Sequence, residues 1–216
     1  MATWALKDVL TVLSKFIEHW EAVDNALAPK SLVLRGGYGA AQLTADRDAF
    51  DANQQATVVA ENSTETAARR RKALRESMRE RIRQFRSAIQ GDFADTEFAS
   101  ALPTIPLQTA GDAAWSAALT DLSDLWQRLN TTDLDDFTPP LTLVGDYTQA
   151  KLVADTAALT TAARDLKQSE QASKNLRRTR DSHLTTVHAK LVRYRKAIGN
   201  RFPEDHALLN SLPDLE

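Results

Sequence analysis

Cysteine is absent from all 216 residues. That excludes disulfides, thiolate metal ligands and a cysteine nucleophile. Glycine and proline number seven each, too few for a chain rich in turns, so a mostly helical protein is expected. No run approaches the ~20 apolar residues needed to span a bilayer. No sign of charge dominates either: 27 basic and 29 acidic residues leave a net charge of −2, and the totals make no case for nucleic acid or a membrane as partner. The opening MATWALKDVLTVLSKF has no basic start, and Asp8 and Lys15 interrupt its apolar residues. It reads as an amphipathic helix rather than a signal peptide. Cytoplasm is the default location, with export by a machine needing no signal peptide left open.

What the chain does contain, it contains twice. Leu32, Gly36, Tyr38, Leu43, Asp46 and Ala49 recur 109 residues later as Leu141, Gly145, Tyr147, Leu152, Asp155 and Ala158. Arg71, Arg86 and Ile89 recur as Arg180, Arg195 and Ile198, and each copy closes on a leucine–proline step, Leu102-Pro103 and Leu212-Pro213. Two copies are too few for a solenoid but sufficient for two half-domains related by a pseudo-two-fold axis.

Each repeat pairs a short helix with a long one. In residues 3–27, Leu6, Val9, Leu13, Phe16, Ile17 and Trp20 have the spacing of one helical face. Trp115, Leu119, Leu122, Trp126 and Leu129 make the matching stripe in residues 113–131. Pro29 and Pro139-Pro140 end these helices, and SLVL and LTLV are extended links. Gly36-Gly37 and Gly145-Asp146 then break the chain, with Asp146 a good N-cap for the second long helix. Residues 37–90 and 146–199 hold no proline, and glycine only near their start or at their end, so each is expected to be one unbroken helix, ~80 Å long at ~1.5 Å per residue.

Such a rod needs a partner of equal length. Leu74, Met78, Ile82, Phe85 and Ile89, and in the second copy Leu184, Val187, Leu191, Tyr194 and Ile198, step by three and four like a coiled-coil seam. Leu43 and Phe50, and Leu152, Leu159 and Leu166, continue it at heptad spacing. The fold expected is all-α: an elongated antiparallel helical bundle of two tandem units, 1–109 and 110–216, packed as one domain. Burying each leucine or tryptophan of these stripes contributes about 1.5–3 kcal/mol. Antiparallel pairing would also set Asp46 near Arg180 and Asp155 near Arg71, as register-fixing polar pairs.

Few motifs suggest chemistry. Ala68–Arg86 is crowded with Arg69, Arg70, Arg71, Arg75 and Arg79, as a phosphate-neutralising helix would be. Glu76 and Glu80 are interspersed, however, and the single aromatic residue, Phe85, lies on the apolar seam, so a solvated helix face is preferred to a nucleic-acid site. From Asp92 to Asp136 the chain is acidic, ending in Asp133, Asp135 and Asp136; this cluster lacks the further ligands and the glycine of a calcium loop. Basic rod and acidic region are complementary, either within one chain or between copies. GGYG at 36–39 has neither a P-loop lysine nor GxGxxG spacing, and a break before a helix is the simpler reading. His183 and His188 are five apart and fall on different helix faces, while His19 and His206 stand alone. No HExxH or GxSxG occurs. No cofactor, metal or catalytic residue is expected.

The function expected is structural: a scaffold that self-associates through long helices into a homo-oligomer such as a filament, tube or ring. The partner expected is another copy of the chain. The alternative is a helical adaptor that binds another protein or, through residues 68–86, nucleic acid, which is disfavoured; no membrane is expected.

Overall fold

A computed structural model describes residues 8–134 and 137–215. Among them the protein is an all-α helical bundle: α1 (Val9–Ala26), α2 (Ala40–Asp92), α3 (Glu97–Ser100), α4 (Asp112–Thr131), α5 (Gln149–Gly199) and α6 (Ala207–Asn210). The two long helices run without a break over 53 and 51 residues, as the lack of interior proline predicts. Residues 3–7 of the expected first short helix, Trp4 included, lie outside the described part. The one-turn helices α3 and α6 are additions to the expected plan; each lies just beyond the exit of a long helix.

The chain divides into two compact units, and each draws on both repeats. Unit 1 comprises residues 1–60 and 172–216, and unit 2 comprises residues 61–171. Unit 1 packs α1 and the start of α2 against the end of α5 and α6. Its core includes Leu13, Phe16, Trp20, Leu43 and Phe50 from the first repeat, with Val187, Leu191, Tyr194 and Ile198 from the second. Unit 2 packs α4 and the start of α5 against the end of α2. Its core joins Met78, Ile82, Phe85 and Ile89 to Trp115, Leu122, Trp126, Leu152 and Leu159. Both pairings bring the start of one long helix to the end of the other, the antiparallel sense that the seams predict. The cause is the continuity of the rods. A straight helix cannot fold its exit seam back onto its own entry, so each exit fills the core begun by the other repeat.

The turns before the long helices are alike. Leu34 and Tyr38 form an isolated antiparallel bridge, as do Leu143 and Tyr147. The enclosed residues need left-handed backbone: Gly36 and Gly37 have φ of 89° and 77°, and Gly145 and Asp146 have 77° and 54°. Glycine adopts this freely, and aspartate is among the residues that tolerate it. Asp146 is therefore not the helix N-cap expected from sequence. It is a turn residue three positions before α5, and its carbonyl accepts from Lys151 Nζ at 2.7 Å.

Candidate interaction site: an aromatic clamp in each unit and a buried arginine in unit 2

Each unit centres on a tryptophan from its short helix. In unit 1, Trp20 Nε1 donates to the Leu32 carbonyl at 3.0 Å, and the Leu32 N–H donates to Asp24 at 2.6 Å. In unit 2, Trp126 Nε1 donates to the Leu141 carbonyl at 3.2 Å, and the Leu141 N–H donates to Asn130 at 2.8 Å. One residue of each link is thus tied to the helix before it through both its donor and its acceptor. A buried backbone group left unpaired would cost about 1–3 kcal/mol.

Aromatic rings from both repeats close on that tryptophan. Tyr194 stacks on Trp20 with ring centroids 4.0 Å apart, and Tyr38 meets it edge-on at 5.9 Å. In unit 2, Phe85 lies 5.0 Å and Tyr147 6.3 Å from Trp126. A cation covers the entry tyrosine in both: Lys190 Nζ sits 4.1 Å from the Tyr38 ring centroid, and the Arg81 guanidinium 4.2 Å from that of Tyr147. These are favourable cation–π distances. The tyrosine hydroxyls donate to Asp46 at 2.7 Å and Asp155 at 2.8 Å.

Those bonds correct the expected polar pairs. Asp46 does not meet Arg180; it accepts from Lys190 at 3.1 Å and lies 3.3 Å from His183. Arg180 instead pairs with its neighbour Asp181 at 2.9 Å. Asp155 accepts from Tyr147, and Arg71 pairs with Asp112 at 2.8 Å. The recurrence of tyrosine and aspartate eight residues apart is the sequence signal for this contact. His19, alone in the sequence, is buried between the Tyr194 hydroxyl and the Leu208 carbonyl, each at 2.7 Å.

Burial opposes ionisation of Asp46, but hydrogen bonds from Tyr38 and Lys190, with the charges of Lys190 and His183, outweigh it and hold the carboxyl below its ordinary value. Its stabilising contribution is therefore present above the carboxylate's unfolded pKa and is lost as pH falls through the lower folded one. The tyrosines move the other way. Burial first, then the hydrogen bond and charge of Asp46, raise Tyr38. Burial and Asp155 raise Tyr147 against the charge of Arg81, and burial with the charge of Asp24 raises Tyr194. These are the chain's three tyrosines. Their contribution is complete below the unfolded value of about 10 and is lost as pH rises above it. Alkaline titration followed by tyrosinate absorbance should give no tyrosinate at ordinary tyrosine pH, then a cooperative step coincident with loss of helical circular dichroism. Titration of even one tyrosine near its ordinary value of about 10 in the folded chain would contradict the buried clamps.

The basic stretch of α2 divides between interior and surface. Arg75 is buried: it donates to the Gln108 carbonyl at 2.9 Å and to Asp112 at 2.8 Å, and its guanidinium lies 5.5 Å from the Trp115 ring centroid. Arg71 donates to the same Asp112 oxygen. Arg81 donates to the Val144 carbonyl and Arg86 to the Pro103 carbonyl, at 2.9 and 2.6 Å. The last bond recurs in unit 1, from Arg195 to Pro213 at 2.8 Å. Arg69 is exposed and pairs with Glu65, Arg70 is exposed, and Arg79 is half-buried. Of the acidic candidates, Asp133 is exposed, and Asp135 and Asp136 lie outside the described residues. Sequence reading misses Asp112 as the acceptor for the basic run, since nothing sets it apart from the acids around it. Among the described residues no group of three or more His, Asp or Glu is placed to hold a metal, and no helix is long and apolar enough to cross a membrane.

The class this architecture defines is the all-α helical bundle built from a duplicated short-helix and long-helix unit. No protein-family model, curated protein or solved structure matches the chain.

Proposed function

We propose that the chain is a structural protein that assembles with further copies of itself through the outward faces of its helices and entry turns. The observation that carries this reading is the apolar surface left outside the two cores. Val58 and Val59 on α2, Val153 on α5, and Val33 and Val144 at the two entry turns are each more than half exposed. Scattered exposed valines are ordinary, but here each entry turn carries one directly beside its bridge, Val33 before Leu34 and Val144 after Leu143. Two units of one plan give a chain two related surfaces, and contacts between non-identical surfaces either close into rings or continue as filaments or tubes.

The disposition of the basic stretch supports this over a nucleic-acid role. Arg71, Arg75, Arg81 and Arg86 have partners within unit 2, and Lys72 and Arg83 lie beside Glu76 and Glu80. Few cations are left to release counterions from a phosphate backbone.

Light scattering coupled to size exclusion, with negative-stain microscopy of the same fractions, tests the proposal. The expected result is a mass several-fold above 23.9 kDa that rises with concentration, ordered particles in the micrographs, and a shift to smaller species for the Val58→Glu, Val59→Glu double variant. A strict monomer at every concentration, without ordered particles, would overturn it.

A further inference from the structure

Unit 2 contains a cavity of about 380 Å³ between the first half of α4 and the start of α5. That lies in the ~300–1,000 Å³ range of small-molecule sites. We propose that it binds a small amphipathic monoanion, an apolar body carrying a single carboxylate.

The walls set the apolar part of that description. Trp115 and Leu119 of α4 face Leu159 and Ala163 of α5 across the cavity. The second repeat carries short side chains there. Thr156, Thr160 and Ala163 stand where the first repeat, 109 residues earlier, has Arg47, Asp51 and Gln54.

The charge at the mouth sets the polar part. Asp112 is the carboxylate lining the cavity, and it is already met by Arg71 and Arg75 at 2.8 Å and by Lys167 at 3.9 Å. Three cations already surround it, which disfavours a cationic ligand. Arg164, the other cation of the lining, lies 4.0 Å from Asp165. The cations Arg71, Arg75, Arg164 and Lys167 thus outnumber the carboxylates Asp112 and Asp165, so the mouth carries a local positive excess that a bound carboxylate reduces. Lys167 and Arg164 are the groups able to reach it, since their side chains are 73% and 71% exposed and can turn inward. A single carboxylate suits two flexible cations above an apolar floor, whereas a multiply charged ligand would leave anionic oxygens against Leu159 and Ala163.

The test is titration of the full ¹⁵N-labelled chain with sodium octanoate, octanol and octylammonium, read at the four tryptophan indole N–H resonances, with Trp115 assigned through Trp115→Phe. Octanoate should shift the Trp115 signal saturably, while octanol and octylammonium should bind at least about tenfold more weakly. Arg164→Glu with Lys167→Glu, both at exposed positions, should weaken octanoate by about tenfold or more, and Ala163→Phe should abolish the shift by filling the cavity. Equal binding of octanoate and octanol, an unmoved Trp115 signal, or undiminished binding by the double glutamate variant would each overturn the proposal. Its failure would leave the self-assembly reading untouched.

Discussion

Replacing Trp20 by alanine is expected to destabilise the protein by about 3–5 kcal/mol, and Trp126→Ala by a similar amount. Both side chains are fully buried at 0% exposure. Each loss has three parts. The indole's apolar surface is no longer removed from water. The cavity left between an entry tyrosine and an exit ring closes only partly, because one ring is held by the bridge of the entry turn and the other by a long helix. The Leu32 or Leu141 carbonyl also loses its donor. Against a typical total of about 5–15 kcal/mol, either variant should sit at the margin of folding. Trp20→Phe, which keeps a ring but not the donor, should lose less than half as much. Urea denaturation monitored by circular dichroism gives the comparison, and a loss below about 1 kcal/mol for Trp20→Ala, well under the range for such truncations, would mean that the tryptophan is not the centre of unit 1.

The second large effect concerns the arginine of unit 2. Asp112→Ala should cost about 3 kcal/mol, near the lower end of the range for breaking a buried pair. Arg75, its side chain 7% exposed, would keep its charge with only the Gln108 carbonyl in place, while the partial exposure of Asp112, 31%, softens the loss. Arg75→Leu restores the residue type that the second repeat uses at this position, Leu184. Adding Arg75→Leu to Asp112→Ala should therefore recover most of the lost stability, since an ion pair replaced on both sides by apolar groups is often neutral or stabilising. The double-mutant cycle is the measurement. Additive losses would show that the two residues do not act as a pair.

Much of this fold is legible in the sequence. The seam residues Met78, Ile82, Phe85 and Ile89, and Val187, Leu191, Tyr194 and Ile198, are buried as their spacing predicts. Helical periodicity is a local signal, and a missing proline is visible wherever it is missing. Legibility ends where partners lie far apart in the chain. Counting heptads pairs Asp46 with Arg180, but the polar contact falls on His183 and Lys190, within a few turns of the same helix. Heptad position fixes a face, not which turn of the partner lies opposite. Asp146 reads as an N-cap because aspartate serves in both roles; the bridge between Leu143 and Tyr147 assigns it to the turn.

The repeat itself has two registers. The long helices correspond 109 residues apart, but Trp20 with Trp126, and Asp24 with Asn130, are 106 apart. The difference falls in the link after the short helix. An ungapped comparison therefore aligns the entry turns and exits but misses that the tryptophans and the side chains capping Leu32 and Leu141 are counterparts. At the candidate site, Arg71 and Arg75 are visible as arginines, but their acceptor and the cavity beside it are not. Both depend on α4 being laid against α5, and no local pattern in the chain reports that.

The central claim is that each core is shared between repeats, and aromatic contacts test it most directly. If each repeat packed on itself, Trp20 would lie against Phe85 and Trp126 against Tyr194. In the arrangement described, Trp20 stacks on Tyr194 at 4.0 Å and Trp126 lies 5.0 Å from Phe85. Nuclear Overhauser effects between assigned ring protons distinguish the two. Cross-peaks from Trp20 to Tyr194 and from Trp126 to Phe85 are predicted; cross-peaks from Trp20 to Phe85 and from Trp126 to Tyr194 would contradict the account.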